Sequence, residues 1–567
     1  MKNRVIILAV DGLDPKIIEK GFKKNFLPNL KKLQESGGYS RLATVEPPQS
    51  PVAWESLITG KNPSEHGIFD FIVRDPRSYQ LDLVWRPGFR NSYKAEPFWK
   101  GFSEKKIPLE ILFLPNTFPA VKVYGKMISG MGTPDVLGTA GRHSFYTTGE
   151  IKKDSRGNQI KIPNKKVIET KIFGPEQSLV PLKIERGNKK VTITVANQKI
   201  VLKKGSFSEW VRLQFKSNRG SIKAIAKFYL KKADSRLEFY LSPLNIDPES
   251  PGECISYPNN FSKKLVQKYG SFYTQGLPHD TWALEENVMT EEAFLQNAGS
   301  IFEERRKIFF GELDEFPTGV FVNYVGITDT IQHMYWRFLD KKESRHSNVI
   351  MDYYKKIDSL VGKTLLKLKK DDYLIVLSDH GFAGFDHEFN LNGWLRDNGF
   401  LKLKSGRIGR PMLDNIDWSK TKAYGIGYNG IYLNIKNREK EGVVKLKDVF
   451  NIKKDIKTRL ENLINPYTKT RVVKKIYYKE ELAISEKDTN APDLFVGYHT
   501  GIRASWDSAV GATAKEVFSK RQSKWRGDHL FDATDVPGVF FISKRVALNN
   551  VKITDIIFIV RDLIKPS

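Results

Sequence analysis

Residues 5–12 read Val-Ile-Ile-Leu-Ala-Val-Asp-Gly, and this short stretch decides the fold class. Six consecutive apolar residues predict a strand that is buried on both faces, which is typical of a parallel sheet covered by helices. In an open parallel sheet, ligands bind beyond the carboxyl ends of the strands, which is where Asp11 lies. The alternative is that Asp11 only caps the next segment. The stretch therefore predicts an α/β fold and makes Asp11 a candidate site residue.

Two further candidate segments, each with a histidine, lie beside predicted buried strands. Asp379 and His380 directly follow the apolar run 373–377. An adjacent aspartate and histidine are a weak motif, but their position at the end of a strand strengthens it. His529 lies shortly before the apolar run 538–543, where a lone histidine would usually be structural. Its assignment depends on the other candidates.

A fourth segment follows the predicted strand 319–325. Asp329 and His333 are four residues apart, so on a helix their side chains share one face and can hold one cation. The alternative is that Asp329 caps the helix. We keep both residues as candidate metal ligands.

The pattern of the chain divides it into three parts. Residues 1–142 alternate buried β runs with helical or loop segments, and glycines accumulate at 125–141. Residues 143–256 show period-two alternation, as around the turn at 196–198, which predicts an antiparallel β insertion with one solvated face. Helices return in 257–567. We expect an α/β core in two parts around a basic, β-rich insertion.

The composition is that of an ordinary globular protein. The 567 residues contain one cysteine, Cys254, so an intramolecular disulfide and a multi-cysteine zinc site are excluded. The apolar run at the N-terminus is too short for a signal peptide, and no stretch approaches the roughly 20 apolar residues that span a bilayer. We expect a cytoplasmic protein without membrane insertion. The sequence does not indicate its oligomeric state.

The net charge of +27 is concentrated in one region. Residues 151–235 contain 21 Lys and Arg against 6 Asp and Glu. This region could attract nucleic acid or another polyanion, or it could be an ordinary lysine-rich solvated surface. The lysines are scattered and do not cluster with aromatic residues that could stack on bases. Nucleic-acid binding is therefore possible but not favoured.

From these residues the chain resembles the alkaline phosphatase superfamily, in the branch of type I phosphodiesterases and nucleotide pyrophosphatases. The resemblance covers nearly the whole chain. It implies an alkaline-phosphatase-like three-layer sandwich with a mostly parallel central sheet and an inserted antiparallel β-rich domain. The segments that carry it are Leu8 to Gly12, Pro48 to Pro51, Thr59-Gly60, Ser64 to Ile68, Asp329 to His333, Ser378 to Gly381, Ala491 to Leu494 and Gly527 to His529.

The resemblance also implies a nucleophile. Nucleotide pyrophosphatases have a threonine nucleophile nine residues before a Thr-Gly pair, and Ser50 stands nine residues before Thr59. A serine hydroxyl is a poor nucleophile at neutral pH, but a divalent cation lowers its pKa without a neighbouring general base. We therefore expect a covalent phosphoserine intermediate at Ser50.

The same resemblance implies two metal sites. One comprises Asp329, His333 and His529; the other comprises Asp11, Asp379 and His380, with the Ser50 hydroxyl bound towards it. Three carboxylates and three imidazoles without a thiolate suit zinc or manganese, and the sequence does not choose between them. We expect two divalent cations and an anionic phosphate-ester substrate, possibly a nucleotide.

One position departs from the family pattern. Nucleotide pyrophosphatases have a phosphate-binding asparagine 21 residues after the nucleophile, and Phe71 occupies that position here. Arg74 could supply a bidentate guanidinium group instead, or it could be a surface or ion-paired arginine. Arg503 and Arg526 are further candidates, although their spacing gives no reason to prefer either.

Several activities share this fold and these metals, so the reaction stays open. The leading expectation is hydrolysis of a phosphodiester, a pyrophosphate or a phosphomonoester. A phosphomutase or phosphotransferase is the alternative on the same site, and a basic nucleic-acid-binding protein with a vestigial metal site is the non-enzyme alternative. Among the other histidines, His66 is more consistent with a structural role behind Ser50, and His387 is a weaker candidate for the cleft.

Overall fold

The computed structural model describes residues 3–85, 95–218, 220–546 and 550–564. Its strands in chain order are β1 Arg4–Val10, β2 Gly38–Leu42, β3 Ile72–Arg74, β4 Leu81–Leu83, β5 Leu109–Leu112, β6 Gly125–Ile128, β7 Ser144–Thr147, β8 Asn158–Lys161, β9 Val167–Phe173, β10 Leu179–Arg186, β11 Lys190–Val195, β12 Gln198–Lys203, β13 Val211–Ser217, β14 Gly220–Ala226, β15 Phe228–Ala233, β16 Leu237–Leu241, β17 Asn245–Ile246, β18 Ser256–Tyr257, β19 Gly319–Val325, β20 Tyr373–Leu377, β21 Ala383–Phe389, β22 Ala423–Ile426, β23 Gly430–Leu433, β24 Val473–Tyr478, β25 Leu494–Tyr498, β26 Gly501–Ala504, β27 Phe518–Lys520, β28 Gly527–Asp528 and β29 Gly538–Ile542.

The helices connect these strands and in several places begin with a recognisable cap. They are α1 Pro15–Lys23, α2 Pro28–Ser36, α3 Ser50–Thr59, α4 Pro63–His66, α5 Phe98–Glu104, α6 Phe261–Tyr269, α7 Thr281–Glu285, α8 Glu291–Glu315, α9 Ile327–Tyr335, α10 Val349–Leu365, α11 Leu391–Asp397, α12 Leu446–Glu461, α13 Trp506–Ala509 and α14 Ile556–Leu563. The longest helix, α8, starts after Thr290, whose side chain accepts a hydrogen bond from the backbone N–H of Ala293.

The chain divides into two compact units, one formed by Met1–Gly101 with Ile331–Ser567 and the other by Phe102–Thr330. The first unit contains the strand order β1-β20-β29-β2. β1 and β20 are parallel, and β29 is antiparallel to both β20 and β2. All seven residues of β1 are buried, as the continuous apolar run predicts. The remaining sheets of this unit pack around a second core that includes Phe389, Tyr424 and Val496.

The second unit contains the order β18-β6-β5-β19, in which β6, β5 and β19 are parallel and β18 is antiparallel to β6. Its β-rich part includes the antiparallel sheet β12-β11-β10-β9. Buried and exposed residues alternate along β10, with Val180, Leu182 and Ile184 inside. One face is therefore packed and the other is solvated, in agreement with the predicted alternation.

The predicted α/β class and its four main strands are confirmed. The apolar runs at 5–10, 319–325, 373–377 and 538–543 are β1, β19, β20 and β29, with ends that differ by at most one residue. The second compact unit is larger than the expected β-rich insertion at 143–256. It also contains residues 102–142 and 257–330, which were expected in the α/β core. Within the described ranges, none of the helices is both long and apolar enough to cross a bilayer.

Candidate active site

The parallel pairing of β1 and β20 brings two of the predicted metal ligands together. Ala9 of β1 pairs with Leu377 of β20. Asp11 and Asp379 therefore leave the two strands at the same edge of the sheet. Nε2 of His380 lies 3.4 Å from Oδ1 of Asp11 and 3.2 Å from Oδ2 of Asp379, and all three side chains are buried. Two carboxylates and an imidazole that converge in this way are a suitable donor set for a divalent cation.

Helix α3 positions the predicted nucleophile against this cluster. Ser50 is the first residue of α3, and its Oγ lies 3.2 Å from Nε2 of His380. The N-terminus of a helix carries a partial positive charge, which favours negative charge on a serine oxygen or on a phosphate. One turn later on the same helix, the indole Nε1 of Trp54 donates to Oδ2 of Asp11 over 3.0 Å. The helix therefore holds both the predicted nucleophile and one carboxylate.

A second group of side chains lies against the first. The potential ligand atoms of His333, Asp528 and His529 all lie within 4.8 Å of one another. The ring of His529 stacks on the ring of His380, with centroids 3.6 Å apart and an interplanar angle of 11°. The two groups therefore form one continuous buried cluster.

The three histidines of the cluster share one tautomer. In each of them Nδ1 lies beside a backbone carbonyl oxygen, which can only accept, so Nδ1 carries the hydrogen and Nε2 keeps a lone pair. This is the arrangement in which a backbone group orients a metal-binding imidazole. The Nδ1–oxygen distances are 2.7 Å for His333 and Gly527, 2.7 Å for His529 and Pro48, and 3.1 Å for His380 and Gly381.

The charge state of His380 also suits metal binding. Burial lowers the pKa of His380 well below its usual value, and the neighbouring His529 and His333 lower it further. At neutral pH the imidazole is therefore uncharged, and its Nε2 lone pair is available to a cation or to the hydroxyl hydrogen of Ser50.

Asp528 was not assigned from the sequence, although it is the neighbour of His529. Its Oδ2 accepts hydrogen bonds from Nη1 of Arg503 over 2.6 Å and from Nε1 of Trp525 over 2.9 Å. Burial alone would raise the pKa of Asp528, but Arg503, His333 and His529 hold it well below its usual range. Trp525 also stacks on His333, with centroids 3.8 Å apart. Oδ1 of Asp528 also accepts from the backbone N–H of His529 over 2.8 Å. Its adjacency to His529 was the sequence signal for it.

Asp329 lies on α9, one helical turn before His333, as the spacing predicts. The same helix is fixed by Gln332, whose Nε2 donates to the carbonyl oxygen of Gly12 over 2.5 Å. The hydroxyl of Tyr354 donates in turn to Oε1 of Gln332 over 2.9 Å. α9 is therefore anchored to the loop that follows β1. The ligand role of Asp329 stays a prediction.

The structure favours the ion-paired alternative for Arg74. Its Nη1 donates to Oε2 of Glu439 over 2.9 Å, and neither side chain is exposed. Nη2 donates to the carbonyl oxygen of Thr489, and the guanidinium group lies 4.2 Å from the ring centroid of Tyr432. A guanidinium group engaged with a buried carboxylate has little capacity left for a phosphate, so we leave Arg74 out of the proposed site.

Other polar groups surround the position where relatives have the asparagine. The backbone N–H of Phe71 donates to Oε1 of Gln49 over 3.1 Å, and Nε2 of Gln49 donates to Asp70 and to Asn429. Burial raises the pKa of Asp70 to about 6. These contacts hold Gln49, the N-cap residue directly before Ser50, and they were not visible in the sequence.

The other candidates are engaged elsewhere. Arg503 is bonded to Asp528, and Arg526 donates to Asp386 over 2.6 Å. The ring of His387 stacks on that of Tyr467, with centroids 4.9 Å apart. His66 bonds the hydroxyl of Ser56 on α3 over 2.9 Å and accepts from the backbone of Ile68, which is the structural role expected of it.

The lysines of the β-rich part lie on a mixed surface. Lys171, Lys183 and Lys199 are on the solvated face of β9 to β12, together with exposed apolar residues such as Val201. Nζ of Lys183 pairs with Glu185 over 2.8 Å. Lysines that alternate with acidic and apolar groups are typical of a solvated surface. Nucleic-acid binding, which the sequence did not favour, stays untested.

Comparison with known proteins agrees with this geometry. The model of the family "Type I phosphodiesterase / nucleotide pyrophosphatase" matches residues 5–507. No curated protein matches the chain. The crystal structure of phosphonoacetate hydrolase from Sinorhizobium meliloti 1021 with phosphonoacetate is similar, with 11% identity, a TM-score of 0.50, and 99% of this chain and 96% of that chain covered. The complex of the same enzyme with phosphonoformate has 12% identity, the same coverage and a TM-score of 0.48.

The first likeness concerns the fold alone, because the identity is low. The family match covers the positions of Asp11, Ser50, His333 and His380. The chain therefore belongs to the type I phosphodiesterase/nucleotide pyrophosphatase family.

Proposed function

We propose that the chain hydrolyses phosphate esters through a covalent phosphoserine at Ser50, with the help of two divalent cations. The observation that carries the proposal is the contact of Ser50 Oγ with Nε2 of His380, inside a buried cluster with Asp11 and Asp379. Carboxylates and neutral imidazoles donate electron pairs, so this cluster is suited to hold a cation beside the serine hydroxyl.

Two ligand sets follow from the cluster and from the family resemblance. Asp11, Asp379 and His380 would hold one cation, together with the hydroxyl of Ser50. Asp329, His333 and His529 would hold the other. The nitrogen and oxygen donors suit zinc or manganese. When bound, the cations supply Lewis acidity that lowers the pKa of the serine hydroxyl and neutralises charge on the phosphate.

Ser50 then performs an in-line displacement. Its Oγ forms a bond to phosphorus as the bond to the leaving alcohol or phosphate breaks, and the hydroxyl proton passes through solvent to the leaving oxygen. The N-terminus of α3 stabilises the negative charge that develops on the phosphoryl group. In the second step, water attacks the phosphoserine from the opposite side, which releases the phosphate product and restores the serine hydroxyl. Two inversions retain the configuration at phosphorus.

Among phosphate esters, we rank the substrates by the chain's family. A phosphodiester or a pyrophosphate, such as a nucleotide, is the leading substrate, and a phosphomonoester is the second. If a substrate hydroxyl replaced water in the second step, the same phosphoserine would support phosphomutase or phosphotransferase activity. These reactions share the first step and differ only in the acceptor.

The test compares a chromogenic phosphodiester with its monoester. Metal-free protein is supplied with zinc or manganese, and Ser50→Ala is compared with Ser405→Ala, which alters an exposed serine. We expect Ser50→Ala to lose at least about 1,000-fold in kcat/KM and Ser405→Ala to behave as wild type. Acid quenching during turnover and mass spectrometry should find phosphate on the peptide that contains Ser50.

Each outcome is informative. Activity that survives in Ser50→Ala would exclude this serine as the nucleophile. Faster cleavage of the monoester would move the proposal to a phosphomonoesterase or mutase. Failure to bind either zinc or manganese would contradict the proposal that the chain is a metal-dependent enzyme.

A further inference from the structure

Arg305, on the middle of α8, has an unusual environment for a charged side chain. Its Nε is buried, and the guanidinium group forms neither a hydrogen bond nor an ion pair with any residue that the structure describes. The adjacent acidic residue, Glu304, is instead paired with Nζ of Lys227 over 2.8 Å. The charge of Glu304 still acts on Arg305 at a distance, but the guanidinium group has no hydrogen-bonded anion among the described residues.

The guanidinium group of Arg305 lies flat against an aromatic ring. Its Cζ is 3.9 Å from the ring centroid of Phe113. Stacking of this kind engages the face of the guanidinium group and leaves its N–H edge free to bind a planar anion. Phe113 directly follows β5, so the guanidinium group lies at the carboxyl end of this strand.

The same end of the sheet carries Asp329. β19 is parallel to β5, with Asn323 opposite Leu112, so both strands end at one edge. Asp329 follows β19, just inside α9. Arg305 and Asp329 are therefore at the edge where ligands of open parallel sheets bind.

His279 connects the two charged residues. Its Nδ1 lies 3.2 Å from Oγ1 of Thr330, the residue after Asp329, and its Nε2 is buried without a hydrogen-bond partner among the described residues. Burial and the charge of Arg305 lower the pKa of His279 to about 3, and the charge of Asp329 opposes this change. His279 is thus within electrostatic reach of both.

Burial of the charge on Arg305 costs hydration free energy, and a bound anion would offset that cost. Burial lowers the pKa of Arg305 to about 10, because the charged form has lost part of its hydration. A carboxylate or phosphate can accept two parallel N–H bonds from one guanidinium group, and such charge-assisted bonds are stronger than neutral ones. The missing partner is therefore an anion that arrives from outside the chain.

We propose that Arg305 binds a second anionic group of the substrate, a carboxylate or a further phosphate, beside the proposed metal ligand Asp329. This inference rests on the proposed function and narrows it. The preferred substrate is a phosphate ester that carries another negative charge besides the phosphoryl group that is transferred.

The kinetic test uses two p-nitrophenyl phosphodiesters that differ in one arm, ethyl in the first and carboxymethyl in the second. A third substrate with a phosphate on that arm separates the two anion types. In Arg305→Gln we expect KM for the anionic substrates to rise about 10- to 100-fold, with kcat changed less than about 3-fold and the ethyl substrate unaffected. Arg305→Lys should recover part of the loss, since it keeps the charge but not the planar fork.

Arg306→Gln is the matched control. It removes the next arginine of the same helix, which pairs with Glu303 over 2.7 Å. Its kinetics should equal those of wild type for all three substrates. Equal losses for the ethyl and the anionic substrates in Arg305→Gln would overturn the proposal, because the residue would then act on the fold and not on the charge.

A binding measurement separates this inference from the proposed function. In Ser50→Ala protein labelled with ¹⁵N-arginine, the Nε–H signal of Arg305 is assigned by its loss in Arg305→Lys. Titration with malonate, and separately with inorganic phosphate, should shift this signal to saturation and leave that of Arg306 unmoved. No turnover is required, so this result stands even if hydrolysis fails. A signal of Arg305 that moves with neither anion would overturn the inference while leaving the role of Ser50 intact.

Discussion

Trp54 is a single side chain that orients a carboxylate of the candidate site. Its indole Nε1 donates to Oδ2 of Asp11, one of the proposed metal ligands. Partners of ligating groups fix their orientation, and losing one typically costs about 10- to 100-fold in metal affinity or activity. Trp54→Phe keeps the ring in the core and removes only the N–H group. We expect its zinc or manganese affinity, measured by competition with a chromogenic chelator, to fall about 10-fold.

Trp394→Phe is the control for this substitution. Trp394 stacks near Phe400, with centroids 6.0 Å apart, and belongs to a core without proposed ligands. Its metal affinity should equal that of wild type. An unchanged affinity in Trp54→Phe would mean that the hydrogen bond to Asp11 has no part in metal binding.

Between elements, the hairpin of β11 and β12 contains a local conflict. The strands pair from Val195 with Gln198, so Ala196 and Asn197 form a two-residue turn, and their φ values are +47° and +62°. Such turns favour Asn and Gly, because other residues pay a steric cost in this region. Ala196→Asn should therefore raise the free energy of unfolding by about 0.5–1 kcal/mol, measured by chemical denaturation.

The turn position itself provides the control for the hairpin. Asn197→Ala places a second poorly suited residue in the turn and should lower the free energy of unfolding by a similar amount. If both variants unfold at the same denaturant concentration as wild type, the turn does not contribute to the stability of the folded state.

At the scale of the whole molecule, a buried carboxyl pair predicts how stability depends on pH. Glu110 of β5 is beside Glu312 of α8, and Lys126 bonds Glu312 over 2.7 Å. Burial and the neighbouring Glu312 raise the pKa of Glu110 above its usual value. Its protonated form is therefore favoured in the folded state, and this contribution is complete at low pH and is lost as the pH rises above about 5.

Glu110→Gln keeps a hydrogen-bonding group of similar shape and removes the titration. Relative to wild type, we expect its free energy of unfolding to increase by at least about 1 kcal/mol between about pH 5 and pH 9. Denaturation curves of both proteins across this range provide the measurement. A difference that stays constant with pH would show that Glu110 does not titrate in this range.

Metal removal is the second prediction at this scale. Cations that bind only the folded chain stabilise it by mass action, by about 2.7 kcal/mol at a free concentration of 100 times Kd. We expect a chelator to lower the Tm of wild type, and to lower the Tm of His380→Ala by a smaller amount, because this variant lacks a ligand of one of the two proposed sites. The control His499→Ala alters a histidine outside the cluster and should respond to the chelator as wild type does. A Tm that is insensitive to chelator and to added zinc or manganese would contradict the two-metal proposal.

Much of this architecture could be predicted because its causes are local. Continuous apolar runs define β1, β19, β20 and β29, since a strand buried on both faces needs no polar residue. Parallel strands end at one edge of a sheet, so the positions of Asp11, Asp379 and His380 at strand ends already indicated a shared site. The helical spacing of Asp329 and His333 is equally local.

Long-range partners could not be predicted in the same way. Arg74 was a plausible phosphate ligand until folding paired it with Glu439, 365 residues away in the chain. The pairing of Ala383 with Asp528, which positions His529, and the hydrogen bond from Trp54 to Asp11 also depend on tertiary structure. The sequence by itself determined the fold class and indicated Asp11, Asp379 and His380 as neighbours, because hydrophobic periodicity and the position of a residue at a strand end are local properties; Asp528 was found only in the structure. Only the tertiary structure decided which charged groups are paired, as for Arg74, and which have no hydrogen bond among the described residues, as for Nε of Arg305, because the pairing of a charge depends on what the fold brings next to it.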